Sequence, residues 1–329
     1  MTRGTQLIRK NLLKSMSPTA EAIYSTVLFF DVQDRALTLL EIKQHLISSA
    51  KFEPRGKLAL SQIENILQAE LASKIQYQAG LYFLLGRSDL VDVKKERYLI
   101  FLLRYVKCLK YLHPLRFFPY IRAIAISGST AMLNSTKSSD IDLFILTKKN
   151  RIWFTRTIIS LYFQLLGQRR YGKKIADRFC LNHYLVENQE IVEDRNMYTA
   201  VEYSSLLPIV NPAKLEEFWN KNSWVETYVA GAMFETSNLF FDIQPGWFQK
   251  FLEQVLDHTL GARLNYLLGI FQKRRIQMQE SILVSESELS FHPGSRGQEI
   301  LKKFQEKTHL FDKSIDKTTT NEHDLKSPP

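Results

Sequence analysis

Asp140 and Asp142 are one residue apart and stand ten residues after a Gly128-Ser129 pair. An apolar run lies on either side, Ile121 to Ile126 and Leu143 to Leu146. Residues i and i+2 of an extended strand point to the same side, so the two carboxylates face one point in space. Two anions aimed at one point repel unless a cation sits between them, and hard oxygen ligands suit Mg²⁺. The order needed to hold them is strand, tight turn, short helix, strand. Glycine at position 128 suits the turn, because it lets backbone approach closely.

The surrounding charge points the same way. The chain has 329 residues and a net charge of +10, from 44 Lys and Arg against 34 Asp and Glu. Between Leu143 and Ala176 stand eight basic residues and no acid: Lys148, Lys149, Arg151, Arg156, Arg169, Arg170, Lys173 and Lys174. Clustered positive charge suits a polyanion such as nucleic acid or a triphosphate. A solvated basic face is the plainer account of any single lysine here. The two cysteines, Cys108 and Cys180, make no metal-ligand spacing, so a reduced cytoplasmic protein is the expectation. Met1 to Ser17 carries basic residues but no apolar core, unlike a secretory signal. The apolar stretch Ile152 to Gly167 contains Arg156 and is too short to span a bilayer. No membrane association is expected.

Several elements must position the aspartates. Apolar spacing predicts helices over Thr19 to Phe30, from Leu39, and over Leu58 to Leu71. Thr38 and Glu41 form a capping box for the second. From Ile75 to Leu85 the period changes to two, with Gly80 and Gly86 as punctuation. Three helices then a β-ribbon is the order of a winged helix-turn-helix. Its third helix would present Gln62, Glu64, Asn65, Gln68 and Glu70, poor equipment for a phosphate-lined groove. Protein contact and DNA binding are therefore level expectations for this domain. A long basic helix follows from Lys94 to Leu112, then the Ile121 strand and a short helix around Ala131 to Leu133. After the Asp140 strand, Asn150 is placed to cap a helix from Arg151 to Leu166, ended by Gly167. Phe179 to Val186 is the third strand. Asn211-Pro212 starts a helix to Leu239, and another spans Trp247 to Gln279. The expected class is α+β: a winged-helix domain over 1–93, a central α/β domain over 94–210 with a leading linker helix, a C-terminal helical region over 211–312, and a disordered tail over 313–329.

Ser127-Gly128-Ser129-Thr130 followed by Ser139-Asp140-Ile141-Asp142-Leu143 resembles the nucleotidyltransferase superfamily of DNA polymerase beta. The likeness covers about Pro119 to Val186. A looser likeness takes in the winged helix, Arg151-Ile152-Trp153 with Arg156, and Cys180-Leu181-Asn182. It resembles uncharacterised bacterial proteins described only as nucleotidyltransferase-domain proteins. The resemblance implies a Mg²⁺-dependent transfer of a nucleoside monophosphate from an NTP to an acceptor hydroxyl or phosphate. Asp140 and Asp142 would hold one or two Mg²⁺ ions. Ser129, with the backbone N–H groups of Gly128 to Thr130, would cradle the phosphates. Arg156 and Lys173 or Lys174 would reach the triphosphate, although Arg156 on an apolar helix could instead snorkel or pair with an acid.

The superfamily usually adds a third carboxylate on a later strand. Here Asn182 stands in that place. An amide oxygen can coordinate a cation but has no charge and cannot act as a base. Two alternatives to an active transferase therefore stay open. One is a regulator that senses nucleotide and binds DNA. The other is an interaction module paired with another protein, as in toxin and antitoxin systems. The acceptor, a nucleic acid or a protein among the options, is not legible.

Overall fold

Ser17 accepts the Ala20 N–H at 3.2 Å and Pro18 fills the first helical position, so α1 begins there and spans Pro18–Asp31. The computed structural model describes residues 16–48, 58–191, 195–231, 243–259, 261–276, 283–291 and 296–309. The chain is mixed α+β and divides into two compact units. One comprises 1–91, 228–231 and 296–329. The other comprises 92–227 and 232–295.

In the first unit, α2 (Leu39–Gln44) carries both halves of the Thr38/Glu41 capping box, at 2.8 and 3.2 Å. Glu41 also takes Arg35 at 2.6 Å in a buried pair. α3 (Leu60–Ala69) buries Ile63 and Leu67 and exposes Gln62, Glu64, Asn65 and Gln68. β1 (Ile75–Gln78) and β2 (Leu81–Leu84) pair antiparallel across Ala79-Gly80, both at positive φ, the two-residue turn that suits strand twist. Distant stretches complete this unit. Val229 bridges to Ile47, and Phe304, in a helix over residues 296–309, packs its ring 5.7 Å from Phe29.

The second unit begins within α4 (Leu90–Leu112). Its sheet has the order β6-β3-β4-β5-β8-β7. The strands are β3 (Ile121–Ser127), β4 (Ile141–Thr147), β5 (Phe179–Val186), β6 (Leu207–Val210), β7 (Leu283–Val284) and β8 (Glu288–Ser290). β4 and β5 run parallel and the other neighbours antiparallel. α5 (Gly128–Ala131) follows β3, and α6 (Ile152–Leu165) links β4 towards β5. Alternation divides β4 between two faces. Ile141, Leu143 and Ile145 join a core with Trp153, Ile159 and Phe163 of α6. On the other face, Phe144 meets His183, Tyr203 and Phe218, the last two from α7 (Met197–Ser204) and α8 (Pro212–Lys221). His183 is buried here, with Nε2 2.9 Å from Glu288.

Several boundaries differ from the sequence expectation. Asn150 turns at φ +60° out of β4, so Arg151 takes the cap position and makes no side-chain cap. The helix from Pro212 stops at Lys221 because the buried Asn222 amide donates back to Phe218 O at 2.9 Å. The helix expected from Trp247 to Gln279 is two, α9 (Trp247–Thr259) and α10 (Gly261–Ile276). The region expected as a separate 211–312 domain is shared between the units, and the 313–329 tail lies outside the described residues. α7, β6, β7 and β8 had no counterpart in the sequence reading. Among the described residues no helix is long and apolar enough to cross a membrane.

α9 is fastened to the sheet through acids. Glu253 takes Arg122 at 2.8 Å, and Asp257 takes Lys148 at 2.6 Å, Arg151 at 2.8 Å and the Tyr120 hydroxyl at 2.9 Å. Burial opposes ionisation of Asp257, but its three donors outweigh it and hold the carboxyl well below the usual range. A depressed folded pKa adds stability that is complete above the ordinary value of about 3.9 and fades as pH falls below it. The melting-temperature gap between wild type and Asp257→Asn is therefore expected to be widest near neutrality and to narrow below about pH 4. A gap independent of pH would remove the charge as its cause.

Candidate active site

The turn after β3 and the start of β4 meet at one point. Ser127 is the register partner of Asp142, which sets Gly128 beside that carboxylate. A Cβ on Gly128 would lie 2.5 Å from Asp142 Oδ2, and its φ is +60°. A side chain here would push the Asp142 carboxylate aside in a left-handed conformation, so glycine suits the position. Behind the turn, the buried Ser135 hydroxyl lies 2.9 Å from Thr130 Oγ1 and 3.2 Å from Ser129 Oγ. Thr130 is fully buried, so its hydroxyl serves the turn.

Asp140 precedes β4 in a loop held from α4. The buried Arg104 donates to Thr136 O at 2.9 Å, Ser139 O at 2.6 Å and Asp177 Oδ1 at 2.8 Å. One side chain thus fixes both ends of the segment that delivers Asp140. Removing it leaves these acceptors without their donor, and hydrogen bonds to a charged group carry about 1.5–3 kcal/mol each. Arg104→Ala is expected to lower stability by about 2–3 kcal/mol, read as a shift in the urea midpoint. An unchanged midpoint would show that the loop is held by other contacts.

Asp140, Asp142 and Cys180 form a group whose ligand atoms all lie within 4.8 Å of one another. Cys180, not Asn182, is the register partner of Asp142. The register shifts between Asp142 and Phe144, so Leu181 and Asn182 together face Leu143. That bulge removes Asn182 from the place expected beside the aspartates. Its Oδ1 is buried and accepts no hydrogen bond among the described residues. Burial, then the Asp142 and Asp140 charges, push the Cys180 thiol up.

Arg170 closes the group. Its Nη1 lies 2.6 Å from Asp140 Oδ2 and 3.6 Å from Cys180 Sγ. Burial acts against the guanidinium's charge, and Cys180 and Asp140 more than restore it. Two carboxylates converging on one point could hold a hard divalent ion, and Arg170 is the cation that pairs with Asp140 here.

Searches of protein-family models, curated proteins and solved structures return no match to this chain.

Arg156 and Lys173 are the remaining sequence-predicted residues, and neither is among the grouped ligands. Arg156, on α6, donates to Gln272 Oε1 and stacks 4.5 Å over the Phe291 ring. It lines a cavity of about 600 Å³ beside the start of β5, as do Arg169 and Arg170. Lys173 is exposed in the tight turn closed by the Tyr171–Lys174 bridge. Sequence reasoning missed Cys180, Arg170, Arg104 and Ser135 as parts of the site. Arg170 lies in the basic run, whereas Cys180 has no local signal, because pairing between distant strands brings it to Asp142.

Proposed function

We propose that this protein is a cytoplasmic, Mg²⁺-dependent nucleotidyltransferase of the polymerase beta kind, with a winged-helix N-terminal unit. The observation that carries the reading is the convergence of Asp140 and Asp142 beside a left-handed glycine turn. A lone Asp-x-Asp is common on solvated surfaces. A half-buried pair packed against a left-handed glycine turn is a built site.

In such a transfer an acceptor oxygen attacks the α-phosphorus, the bond to the bridging oxygen breaks, and pyrophosphate leaves. Asp140 and Asp142 would hold a divalent ion, which would neutralise charge on the reacting phosphate. The chain's own residues do the rest. Gly128 gives the Asp142 carboxylate room against the backbone, Ser129 stands at the turn, and the basic run draws in the triphosphate. Arg104 keeps Asp140 in position.

The test is transfer of label from each NTP to candidate acceptors, with Mg²⁺ and with a chelator. Metal-dependent labelling is the expected result. One observation favours a second reading, a nucleotide sensor: Cys180 stands where a third carboxylate is expected. A sensor would bind a non-hydrolysable NTP with Mg²⁺ and label nothing. The outer face of α3 carries no Lys or Arg, which speaks against DNA as that sensor's partner.

A further inference from the structure

The cavity beside β5 shares Cys180 and Arg170 with the aspartate site. It holds about 600 Å³, within the ~300–1,000 Å³ of small-molecule sites. Three guanidinium groups line it, from Arg156, Arg169 and Arg170, and no carboxylate does. Among the described residues no acid pairs with Arg169. The remaining wall is largely apolar. Tyr171 and Phe271 belong to it although each ring is 68% exposed, and Leu181 and Leu268 lie beside them. Exposed aromatic faces next to arginine forks suit a molecule that is flat at one end and anionic at the other. Arg170 is held by Asp140 and Arg156 by Gln272, so Arg169 is the guanidinium that meets an anion first, and planar guanidinium forks match phosphate oxygens.

Arg170 belongs to two sites. It lines the cavity, and it is the partner of Asp140 at 2.6 Å. A phosphate in the cavity would compete with Asp140 for the same guanidinium. We propose that the cavity binds a phosphate monoester with an aromatic body, such as a nucleoside monophosphate, and that its phosphate draws Arg170 off Asp140. The occupant thereby frees the carboxylate for its cation. The binding half stands on the cavity alone. The coupling half rests on the proposed cation site at Asp140 and Asp142. Linkage makes the coupling mutual: a phosphate ligand that tightens cation binding is itself bound more tightly when the cation is present.

The test uses the full chain in two stages. In a chelator, calorimetry with AMP, phenyl phosphate, inorganic phosphate and adenosine separates the anionic end from the flat one. AMP and phenyl phosphate are expected to bind, and adenosine at least ten-fold more weakly than AMP. Arg169→Ala is expected to weaken AMP at least ten-fold, with Arg169→Lys retaining part of the affinity. Phe271→Ala, at an exposed ring, is expected to weaken AMP and leave inorganic phosphate unchanged. Failure of every phosphate to bind, or equal AMP binding by Arg169→Ala, overturns the proposal. In the second stage Mn²⁺ affinity is read by electron paramagnetic resonance with and without AMP. AMP is expected to tighten Mn²⁺ at least about five-fold in wild type and to have no such effect in Arg170→Ala. Equal Mn²⁺ affinity with and without AMP in wild type overturns the coupling. Failure of Mn²⁺ to bind even Arg170→Ala overturns the cation site and the coupling together, while the chelator titration still decides the cavity.

Discussion

Asp142→Asn is expected to reduce nucleotidyl transfer on the order of 10³-fold while leaving the melting temperature unchanged or raised. The substitution keeps the shape and one carbonyl oxygen but removes a charge. Asp142 stands within 4.8 Å of Asp140 by their ligand atoms. Without a cation the two carboxylates repel, so neutralising one relieves the fold as it disables the site. Opposite signs on stability and activity are the mark of a functional group rather than a structural one. Transfer of label from NTP and thermal melting in chelator read the two effects separately. Equal labelling by wild type and variant would remove the carboxylates from the chemistry. A clear fall in melting temperature would make Asp142 a structural residue.

Gly128→Ala is expected to cost about 1–3 kcal/mol of stability and on the order of 10²-fold in transfer. Two causes add. An alanine at φ +60° carries backbone strain, and its methyl would sit 2.5 Å from Asp142 Oδ2, so the carboxylate must swing away. Gly86→Ala is the control. Gly86 has φ +85° and nothing within 4 Å of its built Cβ, so it carries the strain alone. Urea unfolding of both, with transfer assays, isolates the contact. If the two variants lose the same stability and Gly128→Ala stays active, the close approach of turn and carboxylate has no role.

Local chemistry was the legible part of the sequence. Thr38 and Glu41 are three residues apart and need nothing distant to form their capping box. The Asp140/Asp142 pair converges because a strand's two-residue period is a local rule. What escaped depends on contacts between distant segments. Cys180 reaches Asp142 only through parallel pairing with a bulge, and a one-residue slip in register changes which side chain arrives. Arg104 is 36 residues upstream of Asp140, and nothing near it in sequence says that it will hold that loop. Helix ends failed for a similar reason. Asn150 has the chemistry of a cap, but the chain leaving β4 needed a left-handed residue there, and asparagine tolerates that conformation.

Phe29 rests on Phe304, 275 residues later in the chain, and Ile47 bridges to Val229. A ribosome therefore releases α1 long before its last partner exists. Every residue of the sheet-bearing unit has been synthesised by residue 295, ahead of the closing helix. During translation the amino-terminal unit waits half-assembled, its apolar surface shielded only by what has already emerged. Of the two units, it is the one begun earlier and completed later.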